Sequence, residues 1–320
     1  TVNTVYKDEE LAGFLTYIRS LYEMGVDALI MQDTGAERLV KAHFPDFPLH
    51  ASTQMTCNSL ADVKYWEGRG FDKIVLSREL SLEEIKHITE NTEAEIETFV
   101  HGALCVCYSG QCIMSSMLGG RSGNRGRCAQ TCRLPYTLYK GYDSMAEGYL
   151  LSPKDVMTVE ILPQLIEAGI ASLKIEGRMK SPEYVAGVTR IYRKYIDLYF
   201  ENPEEYKVDP ADIKALQQLF NRCGFTEGYY TSFAGWEMMS IERPKSWGLK
   251  VGIVDKYLPK YKKVTIRTRE PLVPGDGLEI WTQTEPHVGT NVSKHSKAGE
   301  VITITLEGDI NKNDVVYRTF

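Results

Sequence analysis

The sequence lacks the segments that mark membrane and secreted proteins. It contains no run of eighteen apolar residues, and no charged-then-apolar leader opens the chain. Apolar residues make up 43% and charged residues 25% of its 320 positions, which is typical of a globular protein. We therefore expect no membrane-spanning segment and a cytoplasmic location.

Several catalytic signatures are absent as well. The sequence has neither the His-Glu-x-x-His of zinc peptidases nor the Gly-x-Ser-x-Gly of serine hydrolases. No Gly-rich loop precedes a helix, which disfavours dinucleotide binding. The net charge of −6 disfavours a protein that coats nucleic acid, although a local basic patch is compatible with it. One peptidase arrangement stays open, with Cys107 or Ser109 as nucleophile and His101 as base.

Cysteine is unevenly distributed along the chain. Five of the seven cysteines fall between Cys105 and Cys132, and such clustering without a secretion signal indicates a metal or catalytic site rather than disulfides. Cys105, Cys112, Cys128 and Cys132 are separated by six, fifteen and three residues. Because the paired Cys-x2-Cys of structural zinc sites is missing, this spacing favours a [4Fe–4S] cluster, with zinc as the alternative. Cys107 lies close enough to Cys105 to act as a substitute ligand.

The cysteine-rich segment is also basic. No acidic residue occurs between Gly102 and Tyr139, whereas four arginines lie between Arg121 and Arg133. Guanidinium groups in such a setting suit phosphates or carboxylates. We therefore predict that Arg121 and Arg125 bind an anionic substrate.

The first part of the chain alternates short apolar runs with amphipathic stretches. This pattern predicts parallel strands joined by helices. The predicted strands are residues 1–3, 26–31, 49–52, 73–76, 96–100, 149–151 and 171–175. Polar residues follow nearly every run, as at the carboxyl-terminal mouth of a (β/α) barrel. Seven strands are too few to close such a barrel, so we predict an incomplete parallel TIM-like barrel that lacks its first strands.

The later part of the chain has a different pattern. Residues 182–222 are predicted to be helical, and beyond Pro244 the hydrophobic period becomes two. Five short strands are predicted, at residues 250–254, 263–268, 277–281, 300–306 and 314–317. They indicate a small β-barrel. We thus predict a partial barrel domain over residues 1–243, with a Cys-rich insertion at 102–136, and a small β-barrel domain over 244–320.

Polar residues at the predicted strand ends are the candidates for chemistry. The predicted catalytic residues are His101, Arg178, Glu176 and Lys154. The predicted substrate-binding residues, besides the two arginines above, are Gln54, Arg78, Glu79 and Lys180. For each of them the structural alternative is an ion pair between neighbouring loops.

Several stretches together resemble one known family. Residues 97–105, Glu-Thr-Phe-Val-His-Gly-Ala-Leu-Cys, continue through Cys112 to Ser115 and resemble the defining motif of the collagenase-like peptidases, family U32. Residues 123–136, 151–155, 173–178 and 220–229 resemble it too. The sequence departs from the family pattern at Cys107 and Cys223.

The resemblance implies more than the name peptidase. The family includes RNA hydroxylation proteins that make 5-hydroxyuridine at the wobble position of transfer RNA, or hydroxylate a cytidine in ribosomal RNA. It implies an iron–sulfur cluster on Cys105, Cys112, Cys128 and Cys132, and prephenate as a dicarboxylate co-substrate. We expect RNA hydroxylation, with transfer RNA favoured over ribosomal RNA. Proteolysis, and a cluster-bearing scaffold that serves a partner subunit, are the alternatives.

Overall fold

The computed structural model describes residues 1–232, 235–283 and 286–319. The helices are α1 (Asp8–Glu23), α2 (Thr34–His43), α3 (Leu60–Gly68), α4 (Leu82–Thr89), α5 (Met114–Gly119), α6 (Leu162–Glu167), α7 (Pro182–Glu201) and α8 (Pro210–Leu219). The strands of the first sheet are β1 (Leu29–Met31), β2 (Leu49–Ala51), β3 (Lys73–Val75), β4 (Glu95–Ala103), β7 (Asp155–Met157), β8 (Ser172–Ile175) and β9 (Phe225–Thr226). A separate hairpin consists of β5 (Tyr136–Lys140) and β6 (Asp143–Gly148). No helix within the described residues is both long and apolar enough to cross a membrane.

The first sheet is largely parallel. Strands β1 to β4 pair in chain order, and β8 runs parallel to β4. Buried side chains such as Leu49 and Ile74, neither of them exposed to solvent, form the core of this layer. Because the strands share one direction, their carboxyl ends meet at one edge of the sheet, where the residues after each strand come together.

The predicted incomplete TIM-like barrel is not confirmed. The strand pairings of the described residues form an open path. The predicted opening strand is present only as a single parallel bridge between Val2 and Met31. The coarser prediction, an α/β fold with a parallel sheet, is confirmed.

The strand predicted at residues 149–151 is wrong. These residues form a turn, in which the Ser152 N–H donates to the Tyr149 carbonyl at 2.9 Å. Pro153 follows and has no N–H to donate to a ladder. The strand begins only afterwards, as β7, and it runs antiparallel to β4.

The helix predicted over residues 182–222 is two helices. The chain leaves the first helix, α7, before Pro203 and enters α8 at Pro210, where the Asp209 carboxylate accepts a hydrogen bond from the Ala211 N–H. A proline inside a helix lacks the N–H that the helix needs. The periodic apolar residues on both sides of the two prolines predicted one continuous helix, whereas the prolines divide it into two.

A six-stranded antiparallel sheet follows. Its strands are β10 (Leu249–Leu258), β11 (Lys263–Thr268), β12 (Gly277–Trp281), β13 (Val288–Asn291), β14 (Val301–Thr305) and β15 (Val315–Arg318). They pair in the order β13, β12, β15, β10, β11, β14, so a closed barrel is not confirmed here either. All five predicted strands are present. The missed strand, β13, is short and has only one large apolar residue, Val288.

The chain forms two compact units, each made of segments distant in sequence. The first contains Thr1–Arg178, Tyr195–Tyr206 and Phe225–Pro244. The second contains Met179–Lys194, Lys207–Gly224 and the chain from Lys245 on. The division into domains at residue 243 stays a prediction.

Candidate metal and substrate site

The cysteine loop, defined here as residues 102–136, leaves the carboxyl end of β4 and leads into the hairpin. It contains one short helix, α5, and two single turns of 3-10 helix. Almost nothing in the loop is regular, so its conformation depends on side chains that attach it to the sheet. Two such anchors, Ser109 and Arg133, are described next.

Ser109 is the first anchor. This buried residue accepts a hydrogen bond at its hydroxyl from the Arg78 N–H (3.2 Å). Its own N–H and hydroxyl donate to Glu79 Oε1 at 3.0 and 3.2 Å, and its carbonyl accepts from the Thr56 hydroxyl at 2.9 Å. Ser109 therefore fastens the cysteine loop to the segments that follow β2 and β3.

Arg133 is the second anchor. Its guanidinium donates to the Ser152 hydroxyl (2.7 Å), the Leu104 carbonyl (3.1 Å) and the Pro153 carbonyl. It thereby joins the end of the cysteine loop to β4 and to the turn before β7. Because these partners are uncharged and buried, Arg133 acts as a structural cation rather than as a substrate ligand.

The four predicted metal ligands lie near one another. Burial raises the pKa of the Cys132 thiol, and the thiols of Cys105, Cys128 and Cys112 raise it further, whereas Arg133 opposes the shift. Burial likewise raises the pKa of Cys107, which also interacts with Cys112 and Cys105. These thiols therefore interact electrostatically, and their role as metal ligands stays a prediction.

Two N–H groups lie beside sulfur atoms of this group. Arg78 Nη1 is 3.3 Å from Cys105 Sγ, and the Gln130 N–H is 3.3 Å from Cys128 Sγ. Thiolate ligands surrounded by N–H donors are the chemistry of iron–sulfur sites, so the donor set fits a cluster. Among the described residues, no three His, Cys, Asp or Glu side chains are arranged around a single metal ion. The identity of the metal group stays a prediction.

Arg78 connects the cysteines to the predicted polar residues. Its guanidinium stacks 4.0 Å above the Phe99 ring, and its Nη2 atom lies 3.9 Å from Glu176 Oε2. The other oxygen of Glu176 accepts a hydrogen bond from the Arg178 N–H at 2.8 Å. Cys105, Arg78, Glu176 and Arg178 therefore form one continuous group at the carboxyl edge of the sheet.

A small pocket adjoins this group. Arg78, Phe99, His101 and Tyr230 are among the residues that line it. The Arg78 Nε atom is buried and has no hydrogen-bond partner among the described residues. A buried donor on a permanent cation is an unused anion ligand.

The other predicted residues take different positions. His101 is only 1% exposed and lies within β4, with its ring 5.5 Å from that of Phe225. The Lys154 N–H donates to the Met238 carbonyl at 2.7 Å, and its side chain has no hydrogen bond or ion pair in the described part of the chain. The Gln54 N–H donates to the Ser52 hydroxyl at 3.2 Å. Lys180 belongs to the second unit, where its Nζ atom lies 2.6 Å from the centroid of the Phe220 ring.

Glu79 is a partly buried carboxyl group beneath the cysteine loop. Burial raises its pKa, although the two hydrogen bonds from Ser109 oppose that shift. Its Oε2 atom is buried without a hydrogen-bond partner among the described residues. Glu79 was predicted to bind substrate. In the structure it instead positions the cysteine loop by accepting two hydrogen bonds from Ser109.

Arg125 has a structural partner far away in sequence. Its guanidinium forms two hydrogen bonds with the Glu10 carboxylate, at 2.6 and 3.0 Å, and a third with the Val5 carbonyl at 2.8 Å. The hydrogen bond from Arg125, together with one from the Lys7 N–H, lowers the pKa of Glu10 from 4.5 to about 2. The ion pair holds α1 against the cysteine loop.

Replacing Arg125 with Gln should return the Glu10 pKa towards its ordinary value. Because the folded-state pKa is depressed, the stability that this pair contributes is present above pH 4.5 and is lost as the pH falls towards 2. We expect Arg125→Gln to flatten the pH dependence of unfolding in that window. A carboxyl-detected NMR titration of Glu10 measures the shift directly. An unchanged Glu10 pKa in the variant would contradict the assignment to Arg125.

Sequence reasoning missed the residues that hold the site together. Phe99 and Ser109 lie in the recognised stretch 97–115, but their positioning roles, like that of Thr56, follow from contacts between segments some 20 to 55 residues apart. Arg133 was included only as one of the four arginines of the loop.

Comparison with known proteins identifies the family. The model of peptidase family U32 matches residues 1–240. The chain belongs to peptidase family U32. The 23S rRNA 5-hydroxycytidine C2501 synthase of Escherichia coli (strain K12) is a U32 relative that is 40% identical over 308 residues, covering 94% of this chain and 46% of that protein.

Two further U32 relatives have different names. The tRNA hydroxylation protein P1 of Bacillus subtilis (strain 168) is 35% identical over 88% of this chain and 69% of its own length. A Porphyromonas gingivalis (strain ATCC BAA-308 / W83) protein named Collagenase is 35% identical over 72% of this chain and 58% of its own length. The chain thus spans about half to two thirds of the length of these relatives. The predicted resemblance is confirmed, and the family includes proteins named for RNA hydroxylation.

Proposed function

We propose that this chain belongs to an RNA hydroxylase that converts the wobble uridine of transfer RNA to 5-hydroxyuridine. The observation that carries the proposal is the similarity to relatives named for tRNA and rRNA hydroxylation, which extends over 88% or more of this chain. The cytidine named for the Escherichia coli relative is also a pyrimidine, so ribosomal RNA is the second substrate to test.

The cysteine loop is proposed to hold a [4Fe–4S] cluster on Cys105, Cys112, Cys128 and Cys132. These four residues would hold the cluster, which would supply one-electron transfer at this position. The N–H groups of Arg78 and Gln130 would stabilise negative charge on the sulfur atoms of two ligands.

The carboxyl edge of the sheet beside Arg78 is proposed to bind the dicarboxylate co-substrate, prephenate. Its support is the buried Arg78 Nε atom, which has no partner among the described residues. A carboxylate placed there would accept a charge-assisted hydrogen bond. The Phe99 ring beneath the guanidinium holds that group in place.

Proton transfer is assigned to residues at the same edge. Glu176, whose oxygens lie near Arg78 and Arg178, is held in a fixed orientation. The side chain of Lys154 has no structural partner in the described residues, so it is available to a ligand as a proton donor. His101, buried within β4, is better suited to support the pocket than to exchange protons with solvent.

Proteolysis is the second candidate, favoured by the relative named Collagenase. The contacts give it little support. The Ser109 hydroxyl contacts the Arg78 N–H and Glu79, and Cys107 interacts with Cys112. Neither is hydrogen-bonded to His101 in the described contacts, so a nucleophile–base pair is not formed.

The test measures hydroxylated nucleosides in cells that lack the gene and carry the full-length protein or a variant. We expect wild type to restore 5-hydroxypyrimidine in transfer RNA, detected by liquid chromatography and mass spectrometry, and Lys154→Gln to lower it at least tenfold by removing a proton donor. Restoration in ribosomal RNA alone would move the assignment to that substrate.

The same variant separates an enzyme from a scaffold. Full modification with Lys154→Gln, at unchanged iron content, would favour a scaffold that serves a partner subunit. No modification by wild type, with cleavage of fluorescent gelatin, would favour the peptidase.

A further inference from the structure

Two exposed arginines contact one short backbone segment beside the cysteines, and a third exposed arginine belongs to that segment. Arg121 Nε donates to the Arg127 carbonyl at 3.0 Å, and Arg178 Nη2 lies 3.5 Å from the Gly126 carbonyl. Arg127 extends from that segment and immediately precedes Cys128. We call Arg121, Arg127 and Arg178 the guanidinium triad.

The triad has no counter-charge within the described residues. None of its members forms an ion pair there, and the segment from Gly102 to Tyr139 contains no acidic residue. The nearby carboxylate of Glu176 contacts the Arg78 guanidinium and the backbone N–H of Arg178, but not the Arg178 guanidinium. Like charges gathered without a partner repel one another, so the arrangement favours an anion that neutralises them.

The two other arginines of the loop differ in this respect. Arg125 is neutralised by Glu10, and Arg133 donates to a hydroxyl and two carbonyl groups. The loop thus separates arginines that hold the fold from arginines that are left exposed.

We propose that the guanidinium triad binds consecutive backbone phosphodiester groups of RNA. A planar guanidinium matches phosphate oxygens with two parallel donors. All three members are exposed at the surface, which suits a chain of phosphates, whereas the Arg78 side chain is only 14% exposed. Because Arg127 adjoins Cys128, a phosphate held there brings the neighbouring base close to the cysteines.

This inference rests on the proposed RNA hydroxylation and names the contact that positions the RNA. The test compares two full-length variants with equal loss of charge. One is Arg121→Gln/Arg127→Gln/Arg178→Gln. The matched control is Arg19→Gln/Arg38→Gln/Arg190→Gln, which changes three exposed helical arginines without ion pairs in the described part of the chain.

Binding of unmodified transfer RNA transcripts and of a ribosomal RNA fragment is measured by fluorescence anisotropy from low to high salt. Each lost phosphate contact reduces the slope of log affinity against log salt by roughly 0.7 to 0.9. The triad variant should therefore lose about two slope units and roughly 100-fold in affinity at physiological salt. The control variant should bind within about twofold of wild type, since its arginines do not contact the RNA.

Three results would overturn the inference. These are an unchanged salt slope in the triad variant, an equal loss in the control, and loss of binding to malonate, a small dicarboxylate, with RNA affinity retained. Nucleoside analysis distinguishes this failure from failure of the proposed function. If wild type restores 5-hydroxypyrimidine while the triad variant binds RNA normally, only the inference fails. If wild type neither binds nor modifies RNA, both fail.

Discussion

We expect that replacing Cys112 with Ser removes the iron, the sulfide and the broad visible absorption of the proposed cluster from protein purified without oxygen. A serine hydroxyl is a poor ligand for iron compared with a thiolate, so the cluster loses one of its four attachments. Cys112 also interacts electrostatically with both Cys107 and Cys132. We expect iron and sulfide per chain to fall to background, together with hydroxylated nucleosides in the complemented cells.

Two control variants show whether the effect is specific. Cys57 is buried, and burial raises the pKa of its thiol to about 12 without any contribution from the loop cysteines. We expect Cys57→Ala to keep the visible spectrum. Cys107→Ser should keep it too if Cys107 is no ligand. Colourless wild-type protein that carries zinc, or no metal at all, would contradict the cluster and bring the peptidase and scaffold alternatives forward.

Replacing Gly110 with Ala displaces the cysteine loop and destabilises the fold. Gly110 has φ +76°, and a Cβ atom there would overlap the Gln54 carbonyl oxygen and lie 2.6 Å from the Thr56 hydroxyl. The left-handed backbone costs a non-glycine residue about 1 to 2 kcal/mol, and overpacking against backbone adds about 1 to 3 kcal/mol. We expect the free energy of unfolding in urea to fall by about 3 kcal/mol.

Gly120 offers a matched control for this substitution. It has φ +64°, and a Cβ atom there would meet nothing within 4 Å. Gly120→Ala should therefore lower the free energy of unfolding only by the cost of the left-handed backbone, about 1 to 2 kcal/mol. Because Gly110 lies next to Ser109, its substitution should also reduce iron content, whereas Gly120→Ala should not. Equal losses of stability in the two variants would show that the close approach to Gln54 does not constrain the loop.

The sequence predicted the features that depend on local pattern. Apolar runs located β1 to β4 and β8, and alternation located five of the six strands after Pro244. Two of the errors fall where a proline interrupts a pattern, at Pro153 and between Pro203 and Pro210, because hydrophobic periodicity does not register a missing N–H.

Some features of the candidate site were likewise predictable from local sequence, and others were not. Clustering in sequence selected four cysteines that lie in one loop and interact electrostatically, and their role as ligands stays a prediction. Composition also identified a basic loop. It did not show which arginines were free, because their partners are distant in sequence.

What the sequence by itself determined is therefore the family, most of the strand pattern and the clustering of the cysteines, all of which are encoded in neighbouring residues. The tertiary structure alone decided the partners of the charges. Arg125 is paired with Glu10, 115 residues away, whereas Arg178 reaches Gly126 across 52 residues. The physical reason is that every arginine carries the same positive charge. Whether that charge is neutralised depends on which distant segment of the chain packs beside it.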